Sequence, residues 1–282
     1  CYADFRAEKN KIFYSLAAIK NVGFEAISNI IKEREKNGKF KSINDFIKRS
    51  DPKNVNKLQL EGLVKAGAFD CIEKNRKKIF FSIPKIILAI KNFNDDKINN
   101  QSSLFENIDE VNNKAFEFET NDCWTKKELL TQEFSSLGFY MSDHPLNEYK
   151  SIFDHLRIKS YKYFLDSEAK ETQVAGTIMS IQEKKSSKGT PFAIVKFSDN
   201  SSEFELFLFS EVLIRNREKL KESNSFILTL QKDLSNKGNL GTRVNVKKIL
   251  DLNEMIEKPY DEVSIELTND YNLNELKDAL KE

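Results

Sequence analysis

The segment LAAIKNVG at residues 16–23 has a second copy, LEGLVKAG, at residues 60–67. The two copies align without a gap, and about 44 positions separate them, a spacing at which repeated supersecondary units occur. In both copies apolar residues recur at helical spacing and a glycine closes the segment, as glycine does at many helix ends. The repeat therefore predicts two related units of helix and turn in the first third of the chain.

Each copy resembles the helix-hairpin-helix motif of proteins that bind DNA without reading its sequence. In the first copy we expect one helix to end at Ile19 and the next to begin at Phe24, with a hairpin between them. Glycine lets the backbone approach a phosphate closely, and the first N–H groups of the following helix lack internal partners and form an anion site. Asn21 stands where the motif usually has its first glycine, and asparagine tolerates the left-handed backbone conformation.

The charge distribution favours DNA contact over the alternative that the two glycines only end two helices. Residues 1–92 hold 20 Lys and Arg against 10 Asp and Glu, a net charge of +10, whereas residues 93–149 have a net charge of −8. A basic region indicates a partner that carries phosphates. The predicted duplex-DNA-binding residues are Lys20, Asn21, Val22 and Gly23 in the first hairpin, Lys65, Ala66 and Gly67 in the second, and Arg76, Lys77 and Lys78 beyond it.

Residues 1–92 are predicted to form an all-α domain. Polar, acidic and Asn-rich sequence follows, so we expect residues 93–122 to form a flexible linker. Residues 123–171 are predicted to be a helical connector, whose first helix ends in a turn that His144 stabilises through its ring nitrogens. The helical pattern, broken by Gly and Pro, covers residues 12–36, 42–50, 57–67, 80–93 and 124–141.

From Thr172 the apolar pattern changes to the two-residue period of β-strands. The loop SSKGT, residues 186–190, separates the first two runs, and a helix over residues 210–223, with Ser210 as its N-cap, separates the third and fourth. Three strands, a helix and two strands in this order predict an OB-fold, a five-stranded barrel that binds oligonucleotides or oligosaccharides. The predicted strands are residues 172–184, 190–199, 203–210, 225–233 and 242–250.

The predicted barrel, residues 172–251, offers a second set of nucleic-acid contacts. Lys184, Lys185 and Lys188 lie in or beside its first loop, and loop lysines of an OB-fold follow the phosphates of a single strand. Phe207 and Phe209 alternate along one strand and so share a face, which we expect to fill the core.

Residues 252–282 are interpreted as the start of a truncated C-terminal domain. A strand at 261–268 and a helix at 272–282 cannot bury a core of their own. The whole chain is therefore predicted to be an α+β multidomain protein, with a helical repeat unit, a linker, a helical connector, a barrel and a C-terminal stub.

Several classes of function find no support in the residues. No Ser-His-Asp set, glycine-rich phosphate loop or aspartate pair for two magnesium ions is found, so we predict no catalytic residue, no metal ligand and no cofactor. Three scattered cysteines and two histidines cannot build a zinc site or a disulfide framework, and they favour a reducing cytoplasm. No run approaches the roughly 18 apolar residues of a membrane span. The chain begins at Cys1 without a signal peptide, so we expect a fragment of a longer protein.

Five stretches in a fixed order carry a resemblance to a known family. They are IFYSLAAIKNVGFEAISNIIKERE (12–35), FKSINDFI (40–47), VNKLQLEGLVKAGAFD (55–70), LGFYMSDHPLNEY (137–149) and VAGTIMSIQEKKSSKGTPFAIVKFSD (174–199). In this order the chain resembles the C-terminal part of the alpha-subunit family of bacterial DNA polymerase III, truncated at both ends. The resemblance implies that the hairpins bind duplex DNA, that the OB-fold lies near the single-stranded template, and that other subunits of the polymerase holoenzyme are partners. It also implies that the catalytic aspartates and their magnesium belong to a palm domain upstream of Cys1, to which nothing in this chain corresponds.

The same family carries a sliding-clamp-binding motif, Gln-x-x-Leu/Met-Phe, between these two domains. QSSLF at residues 101–105 matches it in content and place, so the resemblance implies that Gln101, Leu104 and Phe105 bind the beta sliding clamp. A preformed apolar pocket would receive the Leu and the Phe. The alternative is that this apolar pair folds back onto the helical domain.

A function of another class is also open. The chain could be a stand-alone, non-catalytic adaptor that joins a helix-hairpin-helix module to an OB-fold without belonging to a polymerase.

Overall fold

Four helices and a short hairpin make up the helical unit, residues 1–98. A computed structural model describes residues 1–98, 116–233 and 243–257. Ser42 and Asn56 cap two of the helices, because each side-chain oxygen accepts an N–H bond from the third helical residue. The elements of the unit are β1 (Arg6–Glu8), β2 (Lys11–Phe13), α1 (Phe24–Asn37), α2 (Ile43–Arg49), α3 (Lys57–Lys65) and α4 (Arg76–Ile98).

The prediction of an all-α domain is wrong for the first residues of this unit. β1 and β2 pair as an antiparallel hairpin, and only a 3-10 turn, Leu16–Ala18, forms where a helix ending at Ile19 was expected. The N–H of Leu16 donates to the carbonyl of Tyr2 at 2.9 Å, so the turn is tied to the start of the chain instead of to a preceding helical turn. The second predicted helix does begin at Phe24, while α3 contains most of the second copy of the repeat and α4 follows that copy.

The two copies of the repeat pack directly against each other. Gly62, buried in α3, lies so close to the first hairpin that a Cβ there would be 2.6 Å from the carbonyl oxygen of Lys20. Ile19 and Val22 lie against the same point, at 3.4 and 3.5 Å. The absence of a side chain at Gly62 is therefore what allows α3 and the first hairpin to share one core.

Part of the predicted flexible linker is ordered on the helical unit, which corrects that prediction. α4 continues to Ile98, and after the undescribed residues the chain returns to the unit with Phe116 and Phe118 packed against its core. The N–H of Glu119 donates to Ser82 Oγ at 2.9 Å. These aromatic contacts bury apolar surface, which the acidic composition of the segment does not reveal.

The connector contains α5 (Lys126–Leu137), a 3-10 turn (Pro145–Tyr149), α6 (Lys150–His155) and α7 (Tyr161–Asp166). Thr125 and Glu128 form a capping box at the start of α5, and Gly138 ends it in the left-handed conformation. His144 stabilises the next turn as predicted. Its Nδ1 accepts the N–H of Leu146 at 3.2 Å, and burial lowers the pKa of its imidazole, so the neutral ring is favoured.

Five further strands follow, namely β3 (Glu171–Lys185), β4 (Pro191–Ser198), β5 (Glu203–Leu208), β6 (Ser225–Asp233) and β7 (Arg243–Asp251). They close into a barrel in the order β3-β4-β5-β7-β6, which confirms the OB-like fold. Neighbouring strands are antiparallel except β5 and β7, which are parallel. Phe164 and Phe226 are among the fully buried side chains of its core. Two helices belong to the same region, α8 (Ser210–Asn216) between β5 and β6, and α9 (Leu252–Glu257) after β7.

Two details of the predicted barrel differ from the structure. α8 ends at Asn216 instead of residue 223, and Ser210 is its first helical residue while Phe209 occupies the N-cap position without a side-chain hydrogen bond. Residues 101–105 and the predicted strand and helix at 261–282 lie outside the described residues. Within the described part of the chain, no helix is long and apolar enough to cross a membrane.

The Gly62 contact generates a stability prediction. We expect Gly62→Ala to lower the free energy of unfolding by about 1 kcal/mol, because overpacking against a backbone oxygen costs about 1–3 kcal/mol and the gain in helix propensity of roughly 1 kcal/mol offsets only part of that cost. Urea unfolding followed by fluorescence of Trp124 measures it, since this single tryptophan lies 5.5 Å from Phe80 in the helical unit. Lys57→Ala, at an exposed position of the same helix, is the control. An unchanged midpoint for Gly62→Ala would contradict the packing described.

Candidate nucleic-acid interfaces

The first hairpin presents an open helix start to solvent. Asn21 adopts the left-handed conformation with φ of 65°, while Gly23 has φ of −76° and is the N-cap of α1. A Cβ at Gly23 would meet no atom of the described residues within 4 Å, and no side chain caps the helix from this position, so the space beside the first N–H groups of α1 is open there. Lys20 is exposed beside them, whereas Val22 is buried and anchors the hairpin in the core.

The second hairpin has a different local geometry. Gly67 takes the left-handed conformation with φ of 78°, and the N–H of Ala68 donates to the carbonyl of Leu63 at 2.9 Å, closing the end of α3. Ala66 is the C-cap of that helix. Residues 66–75 then form turns before α4 begins, so this hairpin does not lead directly into a helix start.

Arg76 was predicted to contact phosphate, but its guanidinium is bound within the protein. Its guanidinium bonds both oxygens of Asp70, at 2.9 and 2.7 Å, the carbonyl of Lys65 at 3.0 Å and Glu133 at 3.2 Å. Burial acts to lower the pKa of Arg76, but the bonds to the two carboxylates outweigh it and raise that pKa. A Cβ on Gly67 would lie only 2.2 Å from the guanidinium, so Arg76 covers the second hairpin.

The other lysines predicted to bind DNA in this unit differ in whether their ammonium groups already contact the protein. Lys78 pairs with Glu73 at 3.0 Å and lies over the ring of Phe118, so its charge is used within the protein. The ammonium of Lys65 lies 5.3 Å from the ring centre of Phe80, and Lys77 is partly exposed. The first hairpin is thus the more accessible of the two candidate sites.

The outer face of β4 and β5 carries an aromatic patch, defined here as Phe192, Ile194, Phe207 and Phe209. Phe207 and Phe209 are 44% and 45% exposed, which contradicts the expectation that they fill the core. Ile194 pairs with Phe207 across the two strands. Phe192 is partly exposed on the same side of β4, and Phe207 pairs with Asn245 of β7.

The alternation of β5 contains the signal that identifies its outer side. Glu203 and Glu205 lie on the same side of the strand as Phe207, whereas Phe204, Leu206 and Leu208 are buried. Charged side chains favour the solvent face of a half-buried strand, so the two glutamates mark the exposed set. The alternation of Phe207 and Phe209 shows that the two rings share a face, but it does not show which face is exposed.

Basic side chains border the aromatic patch. Lys184 pairs with Phe192 across β3 and β4, and Lys185 and Lys188 are exposed at the adjoining loop. Within the described residues none of these three lysines forms an ion pair. Arg243, which sequence analysis did not single out, lies 5.7 Å above the ring of Phe209. The face therefore combines exposed rings with free positive charge, the combination that binds single strands.

The residues that the structure describes contain no group of three or more His, Cys, Asp or Glu side chains placed to hold a metal ion. What the described residues offer is an open helix start, exposed lysines and exposed rings, which suit an anion or a base.

A family model described as a helix-hairpin-helix motif matches residues 1–79. The DNA polymerase III subunit alpha of Caulobacter vibrioides is 31% identical over 232 residues, covering 81% of this chain and 20% of that protein. The corresponding subunit of Borreliella burgdorferi is 32% identical over 295 residues, covering 100% of this chain and 25% of the relative. The subunit of Rickettsia prowazekii is 31% identical over 252 residues, covering 88% of this chain and 21% of that protein.

The chain thus spans about a fifth to a quarter of the length of these curated relatives. The matches are consistent with the C-terminal segment that the resemblance in sequence indicated. The chain is therefore similar to DNA polymerase III alpha subunits over most or all of its own length.

Proposed function

We propose that the chain is a non-catalytic segment of a replicative DNA polymerase alpha subunit, and that it binds duplex DNA, single-stranded template and the sliding clamp during template-directed synthesis. One observation carries the proposal: a chain similar to polymerase III alpha subunits joins an open glycine hairpin in a basic unit to an OB-like barrel with an exposed aromatic patch. Neither feature requires catalytic residues.

Duplex binding is supported by the first hairpin. The uncovered N–H groups at the start of α1 suit a phosphate oxygen, and the exposed Lys20 adds a positive charge beside them. The net charge of +10 on residues 1–92 draws the DNA towards this unit. Contacts of this kind bind the sugar-phosphate backbone, so they carry no sequence information and weaken as salt rises.

Single-strand binding is supported by the outer face of the barrel. Bases stack on exposed rings whatever their identity, and the neighbouring Lys184 and Arg243 suit the phosphates between them. The rings of Phe207 and Phe209 stand on a closed barrel, so they need little reorganisation on binding.

Clamp binding is proposed from the match of QSSLF at residues 101–105 and from its place in the chain. The motif follows the helical unit and precedes the connector, as the internal clamp motif does in the alpha-subunit family. Leu104 and Phe105 supply the apolar pair for a pocket, and Gln101 supplies the polar contact at its rim.

The remaining features of the proposal concern the whole protein. We place the nucleotidyl transfer and its magnesium ions in a palm domain outside this chain, and we expect contacts with other holoenzyme subunits. The exposed free cysteines Cys1, Cys71 and Cys123 suit the reducing cytoplasm. The coding sequence upstream of Cys1 separates this proposal from the stand-alone adaptor, since an aspartate-bearing palm domain in frame supports the polymerase and its absence there supports the adaptor.

The role of the first hairpin is tested by a side chain that blocks access to the start of α1. Gly23→Leu adds a side chain where the protein has open space and where φ of −76° suits any residue, so we expect the chain to fold and its affinity for duplex DNA to fall about tenfold. Lys20→Ala should lower the slope of log affinity against log salt by about one. Fluorescence anisotropy with a labelled duplex measures both, with Lys91→Ala, an exposed lysine of α4, as the charge-matched control. Unchanged duplex affinity in Gly23→Leu would refute the hairpin as the contact.

The aromatic patch is tested by truncating its rings. Phe207→Ala and Phe209→Ala should each weaken binding of a labelled single strand by about 1–3 kcal/mol, because each ring stacks on a base. Tyr163→Ala removes a ring that is 57% exposed on α7, outside the patch, and should leave single-strand binding unchanged. Equal effects of Tyr163→Ala and Phe207→Ala would argue against a specific aromatic site.

The clamp motif is tested by the double substitution Leu104→Ala and Phe105→Ala. We expect it to abolish binding to the beta sliding clamp in surface plasmon resonance, because the apolar anchors of a short docking motif supply most of its affinity. Affinities for duplex and single-stranded DNA should not change. Retained clamp binding would show that the contact lies elsewhere.

A further inference from the structure

Glu133 lies in α5 where the helical unit meets the connector, and its side chain is only 1% exposed. Its Oε1 accepts the N–H groups of Met141 at 2.7 Å and Ser142 at 2.8 Å, and its Oε2 accepts a bond from the guanidinium of Arg76 at 3.2 Å. Hydrogen bonds to an ionised group are stronger than neutral ones, and a buried charge depends on them. One carboxylate therefore joins the helical unit to the segment that leads to the barrel.

The helical-unit side of this joint reaches both hairpins. Arg76 connects Glu133 to the second hairpin through the carbonyl of Lys65. One turn further along α5, the carbonyl of Ser136 accepts the N–H of Lys20 in the first hairpin at 3.0 Å. The last turns of α5 thus hold the backbone of both hairpins in place.

The other side of the joint reaches the barrel within a few residues. The Nε2 of His144 lies 3.0 Å from Ser198 Oγ at the end of β4. Asn200 lies in the loop that follows the same strand, and its side-chain amide donates to Asn147 Oδ1 at 2.7 Å. Leu146 is buried in a small apolar cluster with residues of β3 and β6, so this part of the connector is fixed to the barrel.

We propose that Glu133 is a positioning residue that sets the orientation of the aromatic patch relative to the hairpins. This inference rests on the proposed function, since it requires that both surfaces bind DNA. A rigid joint lets a duplex with a single-stranded extension engage both surfaces without reorganisation of the protein, which raises affinity beyond that of either part. A loose joint leaves each surface intact and loses the shared orientation.

Glu133→Gln in the full chain tests the role of the carboxylate. Three labelled ligands are compared by fluorescence anisotropy: a blunt duplex, a single strand, and the same duplex carrying the strand as an extension. We expect affinity for the joined ligand to fall about tenfold, while the affinities for the separate duplex and single strand stay within about twofold of the wild type. Glu148→Gln makes the same charge change at an exposed position of the connector and should behave as the wild type.

A second measurement changes the ligand and compares the wild type with the same variant. Inserting a flexible ethylene-glycol spacer between the duplex and the single strand should weaken binding to the wild type, because a rigid protein fits one geometry. Binding to Glu133→Gln should be nearly insensitive to the spacer, provided that circular dichroism shows the variant folded.

Three results would overturn the inference. The first is wild-type affinity that does not depend on the spacer, and the second is a Glu133→Gln affinity for the joined ligand equal to that of the wild type. The third is an equal loss for the blunt duplex and the joined ligand, which would make Glu133 a support of the hairpin alone. Failure of the wild type to bind either separate ligand would instead overturn the proposed function itself, before any variant is made.

Discussion

The close approach of α3 to the first hairpin is the constraint on which the helical unit depends. Gly62 brings a helix backbone almost into contact with the carbonyl of Lys20, a distance that any side chain would prevent. Because of this contact, two short motifs that could not bury enough apolar surface alone share a single core. It also fixes Val22 and Ile19 as inward-facing residues, which leaves Lys20, Asn21 and Gly23 facing outward.

Much of the architecture follows from local sequence. The start of α1 after Gly23, the chain order of strands and helix, and the turn at His144 all depend on residues near one another, where periodicity and turn chemistry act. The β1–β2 hairpin was missed because its strands are only three residues each and are nearly all exposed, so they leave no alternating pattern. The packing of Phe116 on the helical core depends on residues far away in the chain, which composition cannot reveal.

The candidate site was less predictable than the fold. In the run Arg76-Lys77-Lys78 all three residues contribute equally to net charge, yet the carboxylates of Asp70 and the buried Glu133 turn Arg76 inward. Only the tertiary structure brings Glu133 within reach, from 57 residues away. The aromatic patch was within reach of the sequence, because the glutamates of β5 mark its outer side. The clamp motif stays a prediction from the motif and its position.

Glu203 and Glu205 make the outer side of the barrel chemically uneven along β5. They occupy the outer side of β5 at its beginning, whereas Phe207 lies near its end and Phe209 directly after it, so carboxylates come first and rings second along the chain. Lys196 pairs with Glu203 at 2.6 Å and offsets part of the negative charge at this end, whereas Lys184 and Arg243 border the end that carries the rings. The surface therefore has a polarity along the chain direction of β5, so any ligand that lies across it meets two chemically different ends.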